Sequence, residues 1–171
     1  MALPVEVILL RHGEKPPDPE DVHLSPVGEE RARMLARYIA TTPALTNSGV
    51  PSVLFATGWT RRSHSQRPFE TLEPLAKQLH QPIKRPFLVE DYARLARQIL
   101  TSPDCDGKVV VVCWVHEFLP ELAHALGVTP KPPPWKGHVY DRVWKITWVD
   151  HRAQFQELRQ PPLRRGLPVT G

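Results

Sequence analysis

Residues 109 to 115 form an uninterrupted run of apolar side chains, Val109-Val110-Val111-Val112-Cys113-Trp114-Val115. The run is much shorter than the roughly 18 residues that a membrane-spanning helix needs, and its β-branched side chains favour a strand. A strand with one face in water alternates apolar and polar residues, whereas a continuous apolar strand is covered on both faces. The run therefore predicts a central strand of a parallel sheet with helices on both sides.

Four other segments repeat apolar residues at the spacing i, i+3, i+4, i+7 that is typical of amphipathic helices. Ser25 and Pro26 supply an N-cap and a first-turn proline for the first of them. Pro74 lies inside the second, so that helix is expected either to begin close to Pro74 or to be kinked there. The four sets are Ala32/Leu35/Ala36/Ile39, Leu72/Leu75/Ala76/Leu79, Tyr92/Leu95/Ala96/Ile99 and Leu119/Leu122/Ala123/Leu126.

Short apolar runs between these helices are interpreted as strands, at residues 5–10, 53–57, 87–89 and 108–115. Two later segments, 142–149 and 154–158, are expected to form an antiparallel hairpin at the sheet edge. Strands that alternate with helices indicate an α/β protein. We expect a single domain over residues 1–171, with three layers, a largely parallel central sheet and helices on both faces.

The composition excludes several classes of protein. The chain of 171 residues has 22 Lys and Arg against 18 Asp and Glu, and this excess is too small to indicate nucleic-acid binding. No apolar run is long enough to span a membrane, and the first residues lack the basic start of a secretory signal. Cys105 and Cys113 are too few for a disulfide framework, so we expect a reducing, cytoplasmic location.

Polar side chains follow the two most clearly predicted parallel strands. Arg11, His12 and Glu14 follow the first strand, and His116 and Glu117 follow the fourth. Because ligands bind beyond the carboxyl ends of the strands in open α/β sheets, we expect these residues at one edge of the sheet. Three arginines that follow the second strand are expected to join them, namely Arg61, Arg62 and Arg67.

These residue types fit phosphoryl transfer. Arginine binds phosphate through two parallel hydrogen bonds and stays charged. A neutral imidazole is a nucleophile that forms covalent intermediates, and a carboxylic acid protonates a leaving oxygen. Phosphoryl transfer otherwise requires mainly positioning and the neutralisation of negative charge. The set predicts a phosphomonoesterase that works through phosphohistidine without a metal or another cofactor.

Residues 7–14, Val-Ile-Leu-Leu-Arg-His-Gly-Glu, resemble the signature of the histidine phosphatase superfamily, also called the phosphoglycerate mutase-like family. Residues 24–32 look like the first helix of that family, residues 56–57 with 67–76 like its second motif, and residues 109–123 like its third. Trp135 and residues 140–144 are similar to the C-terminal strand of short bacterial members. The resemblance covers nearly the whole chain and implies a phosphoglycerate mutase-like fold.

Carried over residue by residue, the resemblance implies that His12 takes up the phosphoryl group and that Arg11, Arg67 and His116 form the phosphate pocket. Arg62 is then either an auxiliary substrate contact or a solvated loop charge. The implied partner is a small phosphorylated substrate or a phosphoprotein.

Two residues are candidates for the proton donor. Glu117 directly follows His116, which is where the acid-phosphatase and phytase branch of the family carries its acid. Glu90 lies in the region where the mutase branch carries a glutamate, although it also stands at a helix start, where the helix dipole favours an acid. We expect Glu117 to be the donor and Glu90 to be a substrate contact.

Other functions are expected to fit less well. The chain lacks the long insertion of phosphoglycerate mutases, so a phosphomutase is an alternative of lower rank. A non-catalytic module that binds phosphate or a phosphoprotein is a second alternative. A zinc hydrolase is excluded by Pro120, which stands where an HExxH motif starting at His116 needs its second histidine.

Overall fold

A computed structural model describes residues 3–61 and 64–163 of the chain. The strands in this part are β1 (Glu6–Arg11), β2 (Pro51–Ala56), β3 (Ile83–Lys84), β4 (Val109–Trp114), β5 (Arg142–Val149) and β6 (Arg152–Arg159). The helices are α1 (Pro26–Thr41), α2 (Pro43–Thr46), α3 (Arg67–Leu79), α4 (Tyr92–Thr101) and α5 (Leu119–Ala125). A short 3₁₀ turn at Val89–Asp91 precedes α4.

The six strands form one sheet in the order β3-β2-β4-β1-β5-β6. The pairs β3–β2, β2–β4 and β4–β1 are parallel, and β5 and β6 add an antiparallel edge. All six residues of β4 are buried, as are all six of β1. The predicted central parallel strand is therefore confirmed, and its continuous apolar sequence reflects cover on both faces.

Alternate residues of the strands contribute to two separate cores. On one face, Val110 and Val112 pack with apolar residues of α4 and α5. On the other face, Val111 and Cys113 pack with residues of α1, α2 and α3. This arrangement confirms the predicted three-layer α/β fold, because the period-2 alternation of each strand supplies both helical layers.

The starts of two helices show how well local sequence places an element. Helix α1 begins at Pro26, and the Ser25 hydroxyl accepts a hydrogen bond from the Gly28 amide at 3.0 Å, as expected for an N-cap. Helix α3 begins at Arg67, seven residues before Pro74, and continues through that proline to Leu79. Of the two alternatives expected at Pro74, a helix start close to the proline is therefore excluded, and a kink there stays a prediction.

The predicted strand at residues 87–89 is also wrong. The strand lies slightly earlier, at Ile83–Lys84, and pairs with Leu54 and Phe55 of β2. Pro86 has no amide hydrogen to donate, and a proline ends regular strand pairing. The Phe87 carbonyl instead accepts a hydrogen bond from the Gly58 amide, so this apolar segment packs without extending the sheet.

The hairpin predicted at the sheet edge is confirmed. Strand β5 pairs with β1 and β6, and the two-residue turn between β5 and β6 has positive φ at Asp150 and His151, as type I′ hairpin turns require. In the β1–β5 pairing Leu10 lies opposite Val143. This register brings the segment just before β5 next to the carboxyl end of β1.

Cys105 and Cys113 are free cysteines with buried thiols. None of the helices in residues 3–61 and 64–163 is long and apolar enough to cross a membrane.

Candidate active site

The two histidines predicted from the sequence lie at the same edge of the sheet. Arg11 ends β1 opposite Trp114, which ends the adjacent parallel strand β4. His12 directly follows Arg11, and His116 comes two residues after Trp114. The sheet therefore brings His12 and His116 to its carboxyl-terminal edge, where open α/β sheets bind ligands.

His12 is held as a neutral imidazole. Its side chain is buried, and its Nδ1–H donates to the Gly13 carbonyl oxygen at 2.7 Å. A carbonyl can only accept, so the proton lies on Nδ1, and Nε2 keeps its lone pair. The pKa of His12 is lowered to about 3, mainly by burial and also by the charges of Arg11, Arg67 and Lys15, although the Gly13 hydrogen bond opposes this shift. A neutral imidazole with a free Nε2 is chemically a nucleophile.

Glycines allow the turn after His12 to pack closely against helix α1. A Cβ atom on Gly13 would lie 2.8 Å from the Gly28 carbonyl oxygen, and one on Gly28 would lie 2.6 Å from the Glu14 carbonyl oxygen. The Gly13 amide donates to the Thr71 hydroxyl at 2.9 Å, which joins the same turn to α3. The His12 turn is thus fixed between two helices.

Glu14 lies behind this turn in a buried network. Its carboxylate accepts from Arg31 Nε at 2.8 Å and from Arg31 Nη2 at 2.7 Å. Arg31 Nη1 donates to Gln160 Oε1 at 2.8 Å, and the Gln160 amide nitrogen donates to the Arg142 carbonyl at 2.9 Å. The network connects the turn that carries His12 with the start of β5.

Arg11 is almost completely buried and is held by the segment before β5. Its Nη1 donates to the carbonyl oxygens of Gly137 at 2.7 Å and Val139 at 3.0 Å, and its Nη2 donates to the Tyr140 hydroxyl at 3.2 Å. The guanidinium carbon lies 3.8 Å from the centroid of the Tyr140 ring. Burial lowers the pKa of Arg11. The Arg11 Nε–H is buried and has no hydrogen-bond partner within the described residues.

His116 contacts both Glu117 and the same segment. Its Nδ1 lies 2.6 Å from Glu117 Oε1, and a Cβ atom on Gly137 would lie 3.3 Å from its Nε2. Burial lowers the pKa of His116, as do the charges of Arg11 and Lys15, whereas Glu117 raises it. Gly137 thus lies close to the His116 ring, and its carbonyl oxygen accepts a hydrogen bond from Arg11. The Glu117 side chain itself is 59% exposed, which leaves it open to a ligand.

Arg67 is placed less directly than predicted. Its positive charge contributes to the lowered pKa of His12, which puts it within electrostatic reach of the site. Its N–H groups, however, donate to the carbonyl of His23 at 3.1 Å and to the carbonyl of Asp21. Glu70, one turn along α3, accepts from the Leu24 amide at 2.9 Å. Arg67 and Glu70 together fasten the segment 21–24 to α3, and phosphate binding by Arg67 stays a prediction.

The remaining predicted site residues differ in their positions. Glu90 is exposed in the 3₁₀ turn before α4, where the neighbouring Val89 carbonyl accepts from Trp114 Nε1 at 3.0 Å. The charges that shift the pKa of His116 belong to Arg11, Glu117 and Lys15, and Glu90 is not among them. Arg62 lies outside the described residues.

Sequence reasoning assigned no role to Lys15 or Tyr140. Lys15 follows His12 by three positions, and its charge lowers the pKa of both His12 and His116. Because Lys15 lies in the loop after β1, the sequence could have identified it as a candidate site residue. Tyr140 had no comparable signal, because its contact with Arg11 depends on the pairing of β1 with β5.

A cavity of about 260 Å³ adjoins the site. Its lining includes His116 and Glu117 on one side. The other side includes residues of the proline-rich segment 131–137, namely Lys131, Pro134 and Trp135. Among the residues that the structure describes, there is no group of three or more His, Cys, Asp or Glu side chains arranged to hold a metal ion.

Solved structures share this fold. A mycobacterial glucosyl-3-phosphoglycerate phosphatase with inorganic phosphate is 13% identical with a TM-score of 0.61, over 92% of this chain and 98% of that one. The SixA protein of Agrobacterium tumefaciens is 16% identical with a TM-score of 0.52, over 94% and 99% of the two chains. A phosphoserine phosphatase of Entamoeba histolytica in complex with phosphoserine is 11% identical with a TM-score of 0.58, over 88% and 94%.

No family model and no curated protein matches the sequence. The likeness at these identities establishes the fold alone. The chain therefore has the phosphoglycerate mutase-like α/β fold that the sequence predicts.

Proposed function

We propose that this chain is a phosphatase that hydrolyses phosphomonoesters, or phosphohistidine, through a covalent phosphohistidine on His12. One observation carries the proposal: the Nδ1–H of buried His12 is fixed on the Gly13 carbonyl, so its Nε2 is an unprotonated nucleophile. The Nε–H of the adjacent Arg11 has no partner among residues 3–61 and 64–163, and in this proposal it supplies a charged donor for a phosphoryl oxygen.

The reaction takes place in two steps. In the first, His12 Nε2 attacks phosphorus, the N–P bond forms, the ester P–O bond breaks, and the leaving oxygen takes a proton from the Glu117 carboxylic acid. In the second, the Glu117 carboxylate takes a proton from water as the water oxygen attacks phosphorus and the N–P bond breaks. Arg11, Arg67, Lys15 and His116 hold the charged oxygens in both steps.

Two further observations support this function. The solved structures that share the fold include proteins named as phosphatases of glucosyl-3-phosphoglycerate and of phosphoserine. The cavity of about 260 Å³ beside His116 and Glu117 is suited to a small leaving group or to a single phosphorylated side chain of a protein. A small phosphorylated molecule or a phosphoprotein is therefore the proposed substrate.

The test is hydrolysis of a panel of phosphomonoesters and a phosphohistidine peptide, in the presence of EDTA, by the wild type and His12→Ala. We expect turnover by the wild type alone, and a severe loss in Arg11→Ala and Arg67→Ala. Activity that survives in His12→Ala contradicts the nucleophile. Inhibition by EDTA contradicts a metal-independent reaction. Phosphate binding without any turnover would favour the binding-module alternative.

A further inference from the structure

Tyr140 lies next to two residues of the candidate phosphate site, Arg11 and His12. Its hydroxyl accepts a hydrogen bond from Arg11 Nη2 at 3.2 Å, and its ring lies beneath the guanidinium carbon at 3.8 Å from ring centroid to carbon. Its ring centroid is also 6.3 Å from that of His12, at an interplanar angle of 59°. Tyr140 therefore lies beside the proposed nucleophile and beside the cation that would hold the phosphoryl group.

The Tyr140 hydroxyl has a hydrogen that it can still donate. It accepts from Arg11, and within the described residues no acceptor receives its own O–H. Tyr140 is partly exposed, so a ligand in the site can reach the phenol. A hydroxyl that accepts a hydrogen bond from a charged donor is polarised and becomes a better donor itself.

The free donors of Arg11 and Tyr140 belong to one contiguous group. Two carbonyl oxygens take both hydrogens of Arg11 Nη1, which leaves the buried Nε–H without a partner within the described residues. The guanidinium is thus held at Nη1 by the two carbonyl oxygens and at Nη2 by the Tyr140 hydroxyl. A phosphoryl group has several charged oxygens and can accept from the Arg11 Nε–H and from the Tyr140 O–H at the same time.

We propose that the Tyr140 hydroxyl donates a hydrogen bond to a non-bridging oxygen of the phosphoryl group held between Arg11 and His12. This assignment rests on the proposed function, and it adds a phosphoryl ligand from the segment before β5. Tyr140 keeps its proton throughout, so the bonds made and broken at phosphorus remain those of the two steps above.

If Tyr140 only supported the Arg11 guanidinium, removal of its hydroxyl would leave phosphate binding unchanged. The stacked ring supports Arg11, and phenylalanine would retain that support while removing only the hydroxyl. Loss of one hydrogen bond to a charged acceptor in the site lowers the affinity for that acceptor by a factor of about 10 to 100. Tyr140→Phe therefore separates donation to the phosphoryl group from support of the guanidinium.

The first experiment compares Tyr140→Phe with the wild type in hydrolysis of p-nitrophenyl phosphate and in competitive inhibition by inorganic phosphate. We expect kcat/KM to fall and the inhibition constant to rise, each about 10-fold or more. Tyr38→Phe is the matched control, because the Tyr38 hydroxyl donates to the Arg159 carbonyl at 3.2 Å, away from the site. Values for Tyr140→Phe within twofold of the wild type, with unchanged thermal unfolding, overturn the assignment.

The second experiment measures binding of inorganic phosphate by calorimetry to His12→Ala and to the double variant His12→Ala, Tyr140→Phe. Weaker binding by the double variant supports the assignment even if the wild type hydrolyses nothing, in which case only the proposed function fails. Equal binding by the two proteins overturns the assignment while leaving a wild-type phosphatase intact. Absence of phosphate binding in both proteins overturns the assignment, and the proposed function is then decided by turnover of the wild type.

Discussion

Glu14 and Arg31 form a two-point ion pair, with Nε–Oε1 at 2.8 Å and Nη2–Oε2 at 2.7 Å, that joins the turn after His12 to helix α1. The side chains are 20% and 9% exposed, so water screens the pair only weakly. A carboxylate that loses such a partner keeps its desolvation cost without compensation. The pair is therefore structural support for the candidate nucleophile.

Replacing Arg31 should destabilise the protein and impair the site. Arg31→Ala leaves the Glu14 carboxylate and the Oε1 atom of Gln160 without their partner, so we expect a loss of about 3 kcal/mol in the free energy of unfolding. Urea denaturation measures this loss. Arg33→Ala, which removes an exposed arginine from the same helix, is the matched control and should change stability by less than about 0.5 kcal/mol. Equal effects of the two substitutions would contradict the prediction.

Gly28→Ala tests the close approach of α1 to the His12 turn. Alanine is the better helix former by about 1 kcal/mol, so propensity alone predicts a gain in stability. The added Cβ would lie 2.6 Å from the Glu14 carbonyl oxygen and 2.9 Å from the Glu14 nitrogen, and backbone atoms cannot rotate away. Overpacking of this kind costs about 1–3 kcal/mol, so we expect a net loss. A raised melting temperature in thermal denaturation would contradict this prediction, because it would show that the backbone at Glu14 shifts to make room for the Cβ atom.

Stability should depend on pH through His12. Its pKa is about 3 in the native protein and about 6.5 in the unfolded chain. Between these values the unfolded chain binds a proton that the native protein does not, so stability falls as the pH decreases below 6.5. From His12 alone we expect a loss of about 2 kcal/mol between pH 7 and pH 5.

The measurement is urea denaturation of the wild type and His12→Gln at pH 7 and pH 5. The variant lacks this titrating group, so its stability should fall by about 2 kcal/mol less over the same interval. His151→Asn, at an exposed hairpin turn, should retain the wild-type dependence. An identical pH dependence in His12→Gln and the wild type would refute the lowered pKa.

Leaving-group chemistry should identify the proton donor. Glu117 contacts His116 at 2.6 Å, whereas Glu90 is exposed in the turn before α4. Glu117→Gln is expected to lower kcat about 100-fold for an alkyl phosphate and far less for p-nitrophenyl phosphate, whose leaving group needs no proton. Glu90→Gln should change both substrates little. A loss in Glu117→Gln that is equal for the two substrates would count against an acid role, and the reverse ranking of the variants would favour Glu90.

The sequence by itself determined the architecture and the sheet edge at which the candidate site lies. Continuous apolar runs marked β1 and β4, and the 3.6-residue period marked the four main helices. These signals are local, because the burial of a strand or of a helix face is recorded in neighbouring residues. Since parallel strands end at one edge, the same signals placed His12 and His116 together. The local sequence was less informative near prolines, because the strand at 83–84 was predicted at 87–89 and the start of α3 was left open at Pro74.

Only the tertiary structure decided how these residues are held. Arg11 is bound by residues 126 to 129 positions away, and Glu14 by a residue on another element. The lowered pKa of His12 comes from burial by the whole fold, and the carbonyl partners of Arg67 lie on the segment 21–24. Such contacts depend on which strands pair and how closely helices approach. Periodicity records which side of an element is buried, but it carries no information about which distant residue meets it there.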